Sequence, residues 1–196
     1  MLLEIVTRTC KRPQMLERNQ SSLASQSDPD WVQTLIVDPV GMGVGASYDR
    51  MAHHEPQGEW VWILDDDDEC VWRPLVADVR RIAAEHPGVQ VIMVRMDHGA
   101  ELGILPDTQV WGEQPLLGHL GVSSYIVRAD VWKRHAKAFS PGHYASDYAF
   151  IADVWQERPT VFWHDVIASR CQKGRSMGAA EVEFATVEPQ ERAVLR

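Results

Sequence analysis

The sequence predicts a single α/β domain, built on a mostly parallel sheet with helices on both faces. Three observations predict it. Apolar runs of strand length recur along the chain, and segments of helical period separate them. The strand runs are also nearly continuous in apolar residues, as expected for strands covered on both sides. A chain of 196 residues is long enough to bury one sizeable core.

Taken in order, "LLEIVTR" (2–8) reads as the first strand. "PQMLERNQSSLASQ" (13–26) has helical period, with Pro13 suited to a first turn. After the turn signal "SDPD", "WVQTLIVD" (31–38) is a second strand, and "VGASYDRMAHH" (44–54) a short helix ending in His53 and His54. "EWVWILD" (59–65) is a third strand, "PLVADVRRIAAEH" (74–86) an amphipathic helix and "VQVIMVRM" (89–96) a further strand. The stretch 101–121 is rich in loop residues, with a short strand expected near Thr108 to Trp111. "VSSYIVR" (122–128) reads as a strand, and "ADVWKRHAKAF" (129–139) as a helix. "SDYAFIADVWQE" (146–157) is a helix capped at or beside Ser146, and "TVFWHDVIA" (160–168) the last strand. The expected domain is 1–175, divided into 1–100 and 101–175, with a Glu-rich tail at 176–196.

Composition narrows the function. The three cysteines are widely spaced and odd in number, so neither a disulfide framework nor a zinc pattern appears; reduced thiols in a cytoplasm are the plain reading. No apolar run approaches the roughly 20 residues that span a bilayer, and in "MLLEIVTRTCKR" the positive charge follows the apolar stretch, unlike a signal peptide. A cytoplasmic protein without a membrane association is expected. A formal charge of −9 argues against non-specific coating of nucleic acid. The charge is uneven, however: residues 128–175 hold eight Lys/Arg against five Asp/Glu, leaving −12 on the remainder.

The acidic run sets the chemical question. The strand "EWVWIL" ends in Asp65, Asp66, Asp67, Asp68 and Glu69, five adjacent carboxylates. One reading is a solvated acidic turn. The other is a site where a divalent cation cancels the repulsion, because hard cations such as Mg²⁺ and Mn²⁺ take oxygen ligands. Asp38 closes the preceding strand, and ligands of such sheets gather beyond the carboxyl ends of the strands. The glycines of "GMGVGAS" (41–47) do not fit the dinucleotide pattern G-x-G-x-x-G. In "RCQKGRS" (170–176), Arg170, Lys173 and Arg175 are spaced either to hold a diphosphate or to form a solvated basic loop. Trp72 and Trp111 lie in loops, where they could stack on a sugar or base.

Five segments in this order resemble the GT-A glycosyltransferases, particularly the large inverting family 2: "IVTRTCKRPQMLERNQSSLASQ", "TLIVDPVGMGVGASYDRM", "GEWVWILDDDDE", "VSSYIVRADVW" and "SDYAFIADVW". The resemblance covers roughly residues 3–170 and implies a GT-A, Rossmann-like fold. It implies that Thr9 and Arg12 contact the nucleotide and that Asp38 reads the base. Asp65 would face the ribose or donor sugar and Asp67 would ligate the metal, with Asp66 or Asp68 able to replace either in so uniform a run. Asp147 would be the general base, although the family's usual Glu-Asp is Ser-Asp here. His164 or the adjacent Asp165 would complete the cation's shell, His164 being favoured over Asp165; the alternative for a lone His is a structural role.

The implied activity is a metal-dependent inverting transfer, with Mn²⁺ or Mg²⁺, from a nucleotide sugar (a UDP-sugar in the first instance) to a hydroxyl. Small phage-type members of this fold suggest a hydroxymethylated pyrimidine in DNA as acceptor, which Lys133, Arg134 and Lys137 on one helix and Trp111 would contact. A cell-surface glycan or a small molecule is the alternative acceptor. Two other classes remain open at this point: a metal-dependent nucleotidyltransferase or phosphohydrolase, and a non-catalytic sugar- or nucleic-acid-binding domain.

Overall fold

The computed structural model describes residues 1–100, 102–143 and 145–172. Its elements are β1 (Leu3–Thr9), α1 (Pro13–Leu23), β2 (Trp31–Val37), α2 (Val44–Met51), β3 (Trp60–Ile63), β4 (Asp68–Cys70) and α3 (Leu75–Glu85), followed by β5 (Val91–Asp97) and β6 (Ile104–Leu105). Then come a 3₁₀ turn (Val122–Ser124), β7 (Tyr125–Arg128), α4 (Ala129–His135), a second 3₁₀ turn (Ala136–Phe139), α5 (Ser146–Gln156) and β8 (Val161–Cys171). The expected 176–196 tail lies outside the described residues.

The strands form one sheet in the order β2-β1-β3-β7-β5-β8-β4, with β6 paired to β5. β1 is parallel to β2 and β3, and β5 is parallel to β8. β7 runs against both β3 and β5, so β1, β2, β3, β5 and β8 share one direction. β4 and β6 run the other way. The sheet is mostly parallel, but mixed. β7 lies between two strands from the first half of the chain, which makes the two halves parts of one sheet.

Strand period distributes the core. Trp60, Trp62 and Leu64 face a layer containing Leu23, Val76, Val79 and Ile82, so α1 and α3 cover that side. Val61 and Ile63 face the opposite layer, with Met51, Trp132, Phe139, Phe150 and Val154 from α2, α4, the second 3₁₀ turn and α5. Phe139 and Phe150 stack with ring centroids 4.4 Å apart, tying α5 to the segment before it. Among the described residues, no helix is long and apolar enough to cross a membrane.

Three local expectations are corrected. Residues 108–111 form a turn, and the short strand lies earlier, at β6. Val122–Ser124 is a 3₁₀ turn, because Ser124 donates its amide back to Gly121 O. The acidic run is itself partly strand: Asp68 N donates to Asp65 O at 3.0 Å, closing a turn, and the chain reverses into β4. β8 extends past residue 168 to pair with it, Asp68 opposite Cys171 and Cys70 opposite Ser169.

Candidate active site

The parallel register of β1 with its neighbours brings their carboxyl ends to one edge. Leu64 N donates to Val6 O at 3.0 Å, Asp66 N to Arg8 O at 3.2 Å, and Asp38 N to Thr9 O at 2.8 Å. Asp38 and the acidic run therefore flank the end of β1, as the strand pattern implied. The solvated-turn reading fails, because the acidic side chains are inside the protein. Relative exposure is 7% for Asp65, 0% for Asp66, 9% for Asp67 and 3% for Asp68.

Two arginines from the β1 end oppose this charge. Arg8 Nε donates to Asp65 Oδ1 at 2.8 Å, and its Nη2 donates to Asp65 Oδ2. Arg12 Nε donates to Asp66 Oδ2 at 3.2 Å, its Nη2 to Asp66 Oδ1, and its Nη1 to Asp67 Oδ2 at 3.0 Å. Forked guanidinium–carboxylate pairs of this kind make a buried acidic turn tolerable. Asn19 fixes the turn's backbone, its Nδ2 donating to Asp65 O and Asp68 O at 2.9 Å each. Gln33 orients Asn19 in turn, donating to its Oδ1 at 2.7 Å.

Burial still leaves a mark on the titration of these groups. It raises Asp66 to about 6, while Arg12 and the Thr9 hydroxyl pull in the other direction. Burial also raises Asp67, reinforced by the charge of Asp65. Asp68 is raised by burial and by Asp67.

Asp147 sits in the first turn of α5 and keeps partial exposure. Its Oδ1 accepts the amide of Tyr148 at 2.8 Å, and the Tyr125 hydroxyl donates to its backbone oxygen at 3.2 Å. Burial holds this carboxyl above its ordinary value, opposed by the Tyr148 amide and by the charge of Arg8. Asp65 also acts on it, which puts Arg8 in the field of both carboxylates. The N-cap position falls on Ala145, beside Ser146, without a side-chain cap; Ser146 Oγ accepts the amide of His143, before the helix, at 2.9 Å.

The remaining expected residues divide. Thr9 is buried beside Asp66. Asp38 is buried, and its carboxylate accepts the amides of Gly41 and Gly43 at 3.0 and 3.1 Å, so it shapes the glycine loop. Two of its lone-pair directions remain for another donor. That loop abuts the segment before α5: a Cβ at Gly142 would stand 1.9 Å from Gly45 O. Arg170 is half-exposed opposite Glu69 at the β4–β8 end, with its Nε donating to Asp97 at 3.0 Å. Lys173 and Arg175 lie outside the described residues.

His164 is a correction. It belongs to the early part of β8, where the neighbouring Trp163 pairs with Met93, whereas Cys171 is the β8 residue opposite Asp68. β8 bulges between these points, so that Trp163 to Arg170 runs beside only Met93 to Asp97 of β5, and at about 3.3 Å per residue of β5 the two positions stand roughly 13 Å apart. His164 Nε2 instead meets Asp78 Oδ2 at 2.8 Å, and Trp72 Nε1 donates to the same oxygen at 2.8 Å. Asp165 pairs with Arg95. Trp111 is not a free stacking platform either, since Arg95 covers its ring at 3.9 Å and Trp163 packs edge-on at 5.0 Å. On α4, Arg134 is held by Asp130 and Glu157 at 3.0 Å each, and Lys133 lies 3.9 Å from Glu55. Lys137 is exposed in the second 3₁₀ turn.

The residue that reaches the acidic turn from the end of β8 is Gln172. Its backbone amide donates to Asp67 O at 2.7 Å, and its Nε2 donates to Asp66 O at 3.0 Å and to Met15 O at 3.1 Å. Its Oε1 is buried without a partner among the described residues. Among the described residues, no three His, Cys, Asp or Glu side chains are grouped as a ready cation site. The donor types nevertheless fit an oxygen-preferring ion: Asp67, Asp65 and Gln172 Oε1, which has no partner among the described residues, are hard oxygens that could hold it. Such an ion would compete with Arg12 for Asp67 and with Arg8 for Asp65.

Arg8, Asn19 and Gln172 were not read from the sequence as site residues. Asn19 had a signal, since Met15, Asn19 and Leu23 recur at helical spacing and all three are buried on one face of α1. Arg8 had a weaker one, a charge inside an otherwise buried strand.

No family model matches the sequence, and no curated protein matches it. Solved structures do resemble the fold. S. aureus TarS 1-349 aligns with a TM-score of 0.69 at 15% identity, over 87% of this chain and 60% of that one. The complex of S. aureus TarS 1-349 with UDP-GlcNAc gives 0.67 at 14%, over 100% of this chain and 70% of that one. A mannosyltransferase from Pyrobaculum calidifontis in complex with GDP-Man and Mn²⁺ gives 0.61 at 14%, over 93% and 60%. At such identities the likeness establishes architecture: the chain has the GT-A fold of these glycosyltransferases.

Proposed function

We propose that the chain is an inverting glycosyltransferase that moves a sugar from a nucleotide diphosphate donor to a hydroxyl. The observation that carries this reading is the convergence of the Asp65–Asp67 turn with Asp147, a carboxyl held above its usual range, with Arg8 in the field of both. The fold's likeness to proteins solved with UDP-GlcNAc and with GDP-Man and Mn²⁺ supports a nucleotide-sugar donor. The reading extends the activity of longer proteins to this chain, which spans 60% of the first of them.

In this mechanism Asp147 takes the proton of the acceptor hydroxyl as its oxygen attacks the anomeric carbon. The bond to the nucleoside diphosphate breaks on the opposite face, so configuration inverts. Arg12 and Thr9 hold the nucleotide, Asp38 and its glycine loop border the base, and Arg170 serves the diphosphate. Mn²⁺ or Mg²⁺, held by Asp67, would supply charge neutralisation at the leaving diphosphate. Asp147 also favours transfer over a phosphohydrolase, which needs no separate base for an acceptor hydroxyl.

The acceptor is proposed no more finely than as a hydroxyl compound. A DNA acceptor would need free cations on α4, and there Arg134 and Lys133 face acidic partners. The test is incubation with Mn²⁺ and a panel of nucleotide sugars, following release of nucleoside diphosphate with and without chelator. Absence of release and of binding for every UDP- and GDP-sugar would overturn the reading.

A further inference from the structure

Arg8 has one end that the protein leaves unused. Its Nε and Nη2 grip Asp65, and its guanidinium carbon lies 4.0 Å above the Tyr48 ring, which stacks on Phe139 at 5.7 Å. Those contacts fix the position and plane of the guanidinium. Nη1 is buried and has no hydrogen-bond acceptor among the described residues; the Tyr48 hydroxyl lies near the guanidinium but not in hydrogen-bonding geometry with Nη1. A guanidinium N–H kept from water without a partner is costly, and such groups in native proteins call for an explanation. Pairing with Asp65 occupies only Nε and Nη2, so that ion pair does not account for the buried third nitrogen.

The surroundings select the chemistry of the missing acceptor. The positive charge of Arg8 is already balanced by Asp65, and Asp147 adds a second negative charge nearby. A phosphate oxygen placed between two carboxylates would be repelled by both. A neutral hydroxyl suits the position, because it accepts from Nη1 while giving its own proton to a carboxylate oxygen. Asp147 is the partly exposed member of this group and so marks the side open to a ligand.

We infer that Arg8 is a specificity-determining residue whose Nη1 donates to a hydroxyl of the sugar being transferred. This rests on the nucleotide-sugar reading above. It makes Arg8 a reader of the sugar rather than of the nucleotide, a division of labour with Arg12. The same chemistry could come from the acceptor's hydroxyl, and the test separates the two sources.

The experiment compares UDP, UDP-GlcNAc, GDP and GDP-mannose by calorimetry on the wild-type protein and on Arg8→Lys, which keeps a cation beside Asp65 but removes the fork. The expected result is that the sugar nucleotide's advantage over the bare nucleotide falls about tenfold in Arg8→Lys, while bare-nucleotide affinity changes less than about twofold; one lost hydrogen bond is of this size. Deoxy-sugar analogues of the same donor complete a cycle. Removing the contacted hydroxyl should weaken wild-type binding and add no further loss in Arg8→Lys. Equal loss for bare nucleotide and sugar nucleotide would overturn the assignment. Intact donor binding with a raised acceptor Michaelis constant would overturn it too, and would give Nη1 to the acceptor. If Arg8→Lys fails to fold, the analogue series on wild type still decides, since full affinity for every deoxy-sugar refutes a contact. A wild-type protein that binds none of the nucleotides overturns the underlying reading itself, a separate outcome.

Discussion

Replacing Arg12 by Met probes how the acidic turn is held together. Arg12 makes three donor contacts to Asp66 and Asp67, and its side chain is 5% exposed. Met keeps much of the side chain's volume but removes the charge, leaving Asp66 and Asp67 buried beside Asp65 and Asp68. Removing one partner of a buried pair costs about 3–5 kcal/mol. For a chain of this size that lowers the melting temperature by roughly 6–20 °C. The assay is thermal unfolding followed by circular dichroism, with and without Mn²⁺. If Asp67 ligates a cation, Mn²⁺ should raise the melting temperature of the variant more than that of wild type, because the ion no longer competes with a guanidinium. Stabilisation grows as RT ln(1 + [L]/Kd), so a concentration one hundred times the dissociation constant recovers about 2.7 kcal/mol. An Arg12→Met protein as stable as wild type would refute the view that Arg12 neutralises the turn. A destabilised variant indifferent to Mn²⁺ and Mg²⁺ would refute Asp67 as their ligand.

The other predictions address the base, a loop contact and a distant buried carboxylate. Asp147→Asn retains an acceptor for the Tyr148 amide, so stability and nucleotide affinity should change little, while transfer falls by about 10²–10⁴-fold; retained turnover would make Asp147 a helix-terminal residue alone. Gly142→Ala drives a methyl to within 1.9 Å of the Gly45 carbonyl, and should cost about 1–3 kcal/mol and weaken nucleotide binding through the displaced glycine loop; unaltered melting and affinity would show that the two loops part freely. Glu4 is held down at about 2, its burial outweighed by hydrogen bonds from His54, Thr34 and the Gln57 amide. A depressed carboxylate contributes stability that is present above its unfolded value near 4.5 and is lost as pH falls toward 2. Glu4→Gln should therefore destabilise by about 1.5–3 kcal/mol at pH 7 and progressively less between pH 4.5 and 2, leaving catalysis intact; a pH-independent difference would assign the loss to shape rather than charge.

What the sequence determined by itself was the succession of elements and the edge at which chemistry could occur. Apolar runs of period two and amphipathic segments of helical period are local properties, so β1, β2, β3, α3 and β5 were legible within a few residues of their observed ends. The same local reading put Asp38 and the acidic run at strand ends, and α5 with Asp147 in its first turn. Tertiary structure decided which charges meet. The partners of Asp65, Asp66 and Asp67 lie more than fifty residues earlier in the chain, and no periodicity encodes a pairing across that distance. The reassignment of His164 to Asp78, the covering of Trp111 by Arg95 and the arrival of Gln172 at the acidic turn share that cause. The arrival of Gln172 depends on the length of β8, which extends to Cys171, where β4 lies beside it to pair with. β4 in turn is a strand made largely of acids, a composition that local preference disfavours. It forms because Asn19, Arg8 and Arg12 hold the turn before it, and that support exists only once β1, β3 and α1 have come together.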